Sequence, residues 1–323
     1  MTKYIIRRLL QTIPVLIGVS ILVFSLMHLI PGDPARVMAG EGASQETIDN
    51  MRERLGLNDP LYEQYGKFLG NVVTGDLGNS VRSGRPVMDE IKVRFWITVE
   101  LALYSTILAV FLGLIAGIIS AVRHNTVVDT GIMIVALFSL SMPNFWLGLL
   151  LIQWFALGNI PLPFGWEIPN SIFEALKMRP SGWGESWRQM VLPVVTLGTG
   201  GAAIIARMTR SSMLEVIGQD YIRTARAKGV AERYVIYKHA LKNALIPVIT
   251  VIGLEFGGFL GGAVLTETIF AINGMGRLTI DAIRMRDFPV VQGTVLVISV
   301  IFVLVNLLVD ISYKLLNKRI DLN

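Results

Sequence analysis

The segment Asp220-Tyr-Ile-Arg-Thr-Ala-Arg-Ala-Lys-Gly229, continued by His239-Ala-Leu-Lys-Asn243 and Pro247, is a run of cations between two apolar stretches. From Arg207 to Lys242 the charges are Arg207, Arg210, Arg223, Arg226, Lys228, Arg233, Lys238 and Lys242 against Glu215, Asp220 and Glu232. Such an excess of Lys and Arg in a short loop beside membrane spans marks the cytoplasmic side. Asp220 is suited to cap a short helix over 221–228, and Gly229 to stop it in the left-handed conformation. A second helical pattern starts at Ala231 and places Val235, Ile236, His239 and Ala240 on one face. A basic loop of this kind can fix topology and hold anionic lipid head groups. Its alanines, Ala225 and Ala227, also let another backbone approach closely, which suits a helix lodged in a partner's groove.

Working outward from that loop, 53% of the 323 residues are apolar and 16% are charged, against about a quarter charged in soluble domains. The apolar residues gather into stretches near or above the ~20 that cross ~30 Å of hydrocarbon. The fold class expected is all-α: a polytopic membrane protein with six transmembrane helices and both termini cytoplasmic. The spans are expected at about 9–30, 98–122, 127–157, 190–206, 244–265 and 288–311. Lys3, Arg7 and Arg8 precede a first apolar run too long for a signal core, and no small-residue cleavage pattern follows it. The reading is an uncleaved first span. The third segment is long for one crossing. Pro143 within Ser141-Met-Pro-Asn144 removes a helix hydrogen bond, and a single kinked or tilted crossing keeps the 207–242 loop inside.

Three regions are expected: 1–30 as an N-terminal segment with the first span, 31–97 as a long extracytoplasmic loop, and 98–323 as a five-helix core containing the cytoplasmic loop 207–243. The outer loop has helical signals of its own. Ser44 can cap a helix with Ile48, Met51 and Leu55 on one face, stopped by Gly56. Asn58-Asp-Pro60 starts another with Leu61, Tyr65, Phe68, Leu69 and Val72 on one face. These helices can lie on the membrane, pack together, or form a platform for an external protein.

Few residues suggest chemistry. Zero cysteines removes disulfides and thiolate sites. His28, His124 and His239 lack metal spacing, so no metal is expected. The formal charge of +5 lacks the basic, aromatic-interleaved face of a nucleic-acid binder. The Gly66-Lys67 pair is followed by Phe68, without the Ser or Thr of a phosphate-cradling loop. No cofactor is expected on this chain, and ATP would have to bind another. Glu255, Asn306 and Asp310 fall inside spans, where ionisable groups are costly and often line a pathway. Glu255 is followed by Gly257, Gly258, Gly261 and Gly262, spacings that let helices approach. Glu255, Gly258 and Gly262 are the candidates for a translocation pathway or subunit interface, and Asp310 for an anchor.

The stretch Arg207–Gly229 resembles the signature of the dipeptide/oligopeptide/nickel ABC importer permeases. Ile30-Pro-Gly-Asp-Pro34, Gly75-Asp-Leu-Gly78, Thr266-Glu-Thr-Ile-Phe270, Gly274-Met-Gly-Arg277 and Arg286-Asp-Phe-Pro289 agree with it, and the long outer loop points to the B-type subunit. The resemblance implies the type I ABC importer permease architecture in the cytoplasmic (inner) membrane of a prokaryote. It further implies a related second permease, two ATPase subunits that bind ATP and Mg, an extracytoplasmic solute-binding protein and a peptide cargo, in contact with membrane lipid and no nucleic acid. The 220s loop is similar to the importers' coupling motif Glu-Ala-Ala-x3-Gly-x9-Ile-x-Leu-Pro. Arg223-Thr224-Ala225 stands at the triplet, Gly229 at the glycine, His239 at the isoleucine, Leu241 at the leucine and Lys242 at the proline. The residues implied in coupling to the ATPase are Tyr221, Arg223, Thr224, Ala225, Arg226, Ala227, Lys228, Gly229, His239 and Asn243. The chain would be a transport subunit, not an enzyme, moving dipeptides or short oligopeptides by alternating access. Nickel-chelate or glutathione import by the same family is the alternative. An ion-coupled secondary transporter is a more distant one, because neither an internal repeat nor a charge-paired broken helix is legible.

Overall fold

The computed structural model describes residues 2–29, 33–40, 42–158 and 177–316. In chain order the helices are α1 (Thr2–Leu29), α2 (Pro34–Ala39), α3 (Gln45–Arg54), α4 (Leu61–Thr74), α5 (Val87–Val122), α6 (Val127–Ser141), α7 (Asn144–Phe155), α8 (Trp187–Ile217), α9 (Asp220–Ala227), α10 (Leu241–Ile269), α11 (Met275–Arg284) and α12 (Phe288–Leu316). The helical turn Glu232–Tyr234 and the π-helical turn Val235–Ala240 lead into α10. Residues 30–32 of one quoted motif, and Lys318 and Arg319, lie outside the described residues.

The all-helical membrane architecture expected from the sequence is what forms. Among the described residues five helices are long and apolar enough to cross a membrane, and the pair α6–α7 makes a sixth crossing if counted as one. At 1.5 Å per residue the 36 residues of α5 reach about 54 Å, well beyond ~30 Å of hydrocarbon. The short loop helices also form. Ser44 caps α3 by accepting the Thr47 N–H at 3.2 Å, and Ile48 is buried.

The third segment, expected as one kinked or tilted crossing, is a pair of helices that makes one crossing only when the two are taken together. It breaks at Met142–Pro143, and α7 turns 102° away from α6. Pro143 has no N–H to continue α6, and its ring pushes Met142 into an extended conformation (φ −80°, ψ 120°). With 15 and 12 residues, neither piece spans the hydrocarbon alone.

The chain divides into two compact units, Met1–Thr98 with Asn273–Val303, and Val99–Ile272 with Leu304–Asn323. Residues 273–303, within the region expected as the five-helix core, pack with the first unit. Two motifs far apart in sequence interlock in that unit. Asp287, only 5% exposed, accepts the Ser80 hydroxyl at 2.6 Å and the Val81 N–H at 3.2 Å. Below it Val87, Ile91, Met275, Ala282, Val290 and Val291 form a buried cluster. α1 meets α4 through Ser20 and Tyr65 hydroxyls 2.8 Å apart and the Phe24 ring, which meets Tyr65 edge-on and Phe68 at a tilt. An unmet buried donor costs about 1–3 kcal/mol, so Asp287→Ala is expected to loosen residues 80–83. The check is amide exchange, which should speed up at least tenfold at Val81 with α8 unaffected.

In the second unit α5 and α8 touch backbone to backbone. A Cβ on Gly113 would lie 2.8 Å from the Ala202 carbonyl oxygen, and one on Gly117 would lie 2.6 Å from that of Ala206. Small residues permit such approach where helices associate in lipid. α6 packs along α8, and α7 packs against α8 and α10. Phe270, fully buried, sits against Gly148 of α7 and beside Thr196 of α8. Thr106, Thr196 and Thr199 return their hydroxyls to carbonyls one turn back, which satisfies them without water.

Candidate functional site

The cytoplasmic loop folds as a short helix clipped onto the ends of longer ones. α9 covers Asp220–Ala227, one residue earlier at each end than expected. Gln219 occupies the N-cap position with no side-chain bond, so Asp220 is not the cap. Asp220 begins the first turn instead, where its negative charge suits the helix dipole, and it receives Arg223 Nη1 at 3.3 Å. The C-terminal end is as expected. Gly229 adopts φ +78°, its N–H bonds the Arg226 carbonyl at 2.9 Å, and Val230 N–H reaches back to Ala225 at 3.2 Å. This paired closure needs a left-handed residue, which glycine supplies without a Cβ penalty.

The buried side of α9 is Ile222, fully enclosed in a cluster with Met213 of α8, Ala121 of α5, Val235, Ile236 and Ala240 of the π turn, and Ala244 of α10. Ala225 and Val230 pack against the same cluster. The small side chain of Ala225 therefore serves contact within this chain, while Ala227 is exposed. Arg223, Thr224, Arg226, Lys228 and Gly229 are exposed as well. Arg226 grips Glu232 through two hydrogen bonds, Nε–Oε2 at 3.1 Å and Nη2–Oε1 at 2.7 Å, which brace the turn around Gly229. These bonds hold the Glu232 carboxyl below the ordinary carboxylate range. At such exposure the pair contributes at most about 1 kcal/mol. Tyr221 and Asn243, paired by no sequence signal, are brought together: Asn243 Nδ2 donates to Tyr221 Oη at 2.8 Å. His239 is half-buried in the π turn, and its carbonyl accepts from Asn243 at 3.3 Å.

The second set of candidates lies on α10. Glu255 is half-buried and faces Gly201 of α8, where a Cβ would come within 3.1 Å of Oε2 and 2.7 Å of Phe259 Cζ. Next to it, Asn144 Oδ1 lies 3.7 Å from where a Cβ on Gly200 would be. The break at Pro143 thus delivers an amide side chain to Gly200 of α8, while Glu255 approaches the adjacent Gly201. Sequence reading missed this neighbourhood, and its one available signal was Pro143-Asn144. Gly258 is exposed with nothing within 4 Å, and Gly262 lies one turn further along α10. The backbone of Asp310 lies on α12.

A third group went unread. Asp129, 3% exposed at the start of α6, receives Arg210 Nε at 2.7 Å and Nη2 at 2.8 Å, the Asn125 N–H at 3.0 Å, and the Ser120 hydroxyl. His124 Nδ1 stands 3.2 Å from Asp129 Oδ2 and 3.0 Å from Arg210 Nη2. The available signal was an aspartate two residues into an apolar segment.

Residues 113–322 match the family described as binding-protein-dependent transport system inner membrane component, and residues 1–102 match its N-terminal family. The dipeptide transport system permease protein of Alkalihalophilus pseudofirmus is 49% identical, with 99% of each chain covered. The glutathione transport system permease protein of Escherichia coli K12 is 45% identical, again over 99% of each. Among solved structures, the inward-facing MetNI methionine ABC transporter matches with a TM-score of 0.55 at 20% identity. That match covers 71% of this chain and 97% of the other, a likeness of fold alone.

Proposed function

Because the chain belongs to the family of binding-protein-dependent transport system inner membrane components, we propose that it is half of the pathway of an importer for dipeptides and short oligopeptides. It is a multi-pass permease of the cytoplasmic membrane. A related second permease completes the pathway, and two ATPase subunits hold ATP and Mg below. A solute-binding protein delivers cargo from outside. The carrying observation is α9: anchored by one buried residue, Ile222, and closed by Gly229, it presents Arg223, Thr224, Ala227 and Lys228 outward. ATP-driven closure of the ATPases moves this helix, and the cluster beneath it passes the motion to α5, α8 and α10. His239 and Asn243 contribute to coupling by supporting the helix, Asn243 through its hydrogen bond to Tyr221. The peptide cargo rests on the dipeptide and glutathione permeases to which the chain is similar. Both names denote small peptides.

Glu255, against Gly201 of α8, lines the pathway, and the unpacked Gly258, with Gly262, meets the second permease. Glu255→Gln should lower import at least fivefold with assembly intact. Unchanged import would remove it from the pathway.

The test of the whole reading uses the absence of cysteine from the natural chain. Ala227→Cys in the complete complex should cross-link to an ATPase subunit and not to the binding protein. In proteoliposomes, labelled dialanine and glutathione should enter with ATP and not with an ion gradient alone. Import driven by the gradient without ATP would favour a secondary transporter instead.

A further inference from the structure

We propose that Asp129 and Arg210 are a positioning pair that makes the broken helix α6–α7 follow α9. This rests on the reading of α9 as the coupling helix, and it concerns residues outside that helix and its partner contacts.

The route is contiguous within one compact unit. Ile222 of α9 and Met213 of α8 share one buried cluster. Arg210 lies one turn before Met213 on α8 and holds Asp129 through two parallel hydrogen bonds of 2.7 and 2.8 Å. Ser120, also bonded to Asp129, is the neighbour of Ala121 in the same cluster. Asp129 lies in the first turn of α6, at the end remote from Pro143. At the other end of α6, the break puts Asn144 against Gly200 of α8.

A two-bond, planar contact between guanidinium and carboxylate fixes orientation as well as distance. Apolar packing of α6 on α8 alone would let the helix slide, since lipid tails solvate it equally well. The Arg210–Asp129 fork removes that freedom at the base of α6. A displacement of the α8 end therefore reaches Pro143, and α7 swings about the break.

A readout independent of cargo tests this. Phe145→Cys is placed on α7, where the native side chain is exposed. Its rate of modification by a membrane-permeant maleimide is measured in the whole complex, without nucleotide and with ATP plus vanadate. Nucleotide should change the rate at least fivefold on the otherwise natural background. Asp129→Asn and Arg210→Gln should bring that ratio to within twofold of unity while the ATPases still co-purify and hydrolyse ATP. Arg210→Lys, which keeps charge without the fork, should retain an intermediate ratio.

A ratio unaltered by Asp129→Asn and Arg210→Gln would overturn the proposal and leave the coupling role of α9 standing. So would a natural background that shows no change at Phe145→Cys, or loss of the ATPases from both charge-removing variants. Failure of the α9 reading is scored separately, by the Ala227→Cys cross-link.

Discussion

Ile222→Asp is expected to detach α9 from the membrane helices and abolish recruitment of the ATPases while the chain still inserts. Ile222 is fully buried beneath the helix, among Met213, Val235 and Ala240. Removing its side chain forfeits about 2–5 kcal/mol, and a carboxylate in the same space adds the cost of an unpaired buried charge. If only the docked helix binds the ATPase, affinity falls with the docked fraction. A drop of at least a hundredfold in co-purifying ATPase is expected, against a few-fold for Ile222→Val. Equal recovery of ATPase with Ile222→Asp would show that α9 binds without its own platform. The exposed neighbour gives the contrast. Arg223→Ala leaves the cluster untouched and should weaken binding only by what that side chain contacts.

Gly117→Val should force α5 and α8 apart and destabilise the second unit. A Cβ at Gly117 meets the Ala206 carbonyl oxygen and Thr209 Cβ, each at 2.6 Å. The obstacle is backbone in a helix, which cannot turn aside as a side-chain tip can, so α5 and α8 must part. Overpacking of this kind costs about 3 kcal/mol or more, and removal of the close approach adds lost dispersion along the seam. The melting temperature of the purified complex should fall by about 5–10 °C. Gly258→Ala is the control, because nothing stands within 4 Å of that position. It should leave the melting temperature unchanged, and any loss of the second permease from the complex would then report the interface directly.

The loop around α9 was legible because its signals are local. A positive-φ stop at Gly229, a charged face and an amphipathic pattern all lie within ten residues, and the helix forms one residue from where they put it. The interpretation of individual side chains fared less evenly. Asp220 reads as a cap by residue type, yet the backbone places Gln219 there. Ala225 reads as a surface for a partner, yet it packs inward against the chain's own cluster. The role of a small residue depends on what lies across from it, and that neighbour here comes from α8 and the π turn.

The outer motifs show the same division. Gly75–Gly78 and Arg286–Pro289 were visible as separate signatures. That Asp287 closes on Ser80 and Val81 could not be read from either. Likewise α11 is a ten-residue helix with Met275, Gly276, Thr279 and Ala282 buried, in a stretch read only as motif.

Apolar run length sufficed for membrane residence and helical class, and the placement of Lys and Arg carried the expected orientation. Those properties are set by the transfer of each segment between water and hydrocarbon, one segment at a time. The 102° break at Pro143, the Asp129–Arg210 fork and the approach of Asn144 to Gly200 and of Glu255 to Gly201 were decided by the tertiary structure. Each requires groups from different helices to arrive at one place. A carboxylate or an amide within an apolar stretch carries no mark of its partner until packing supplies one.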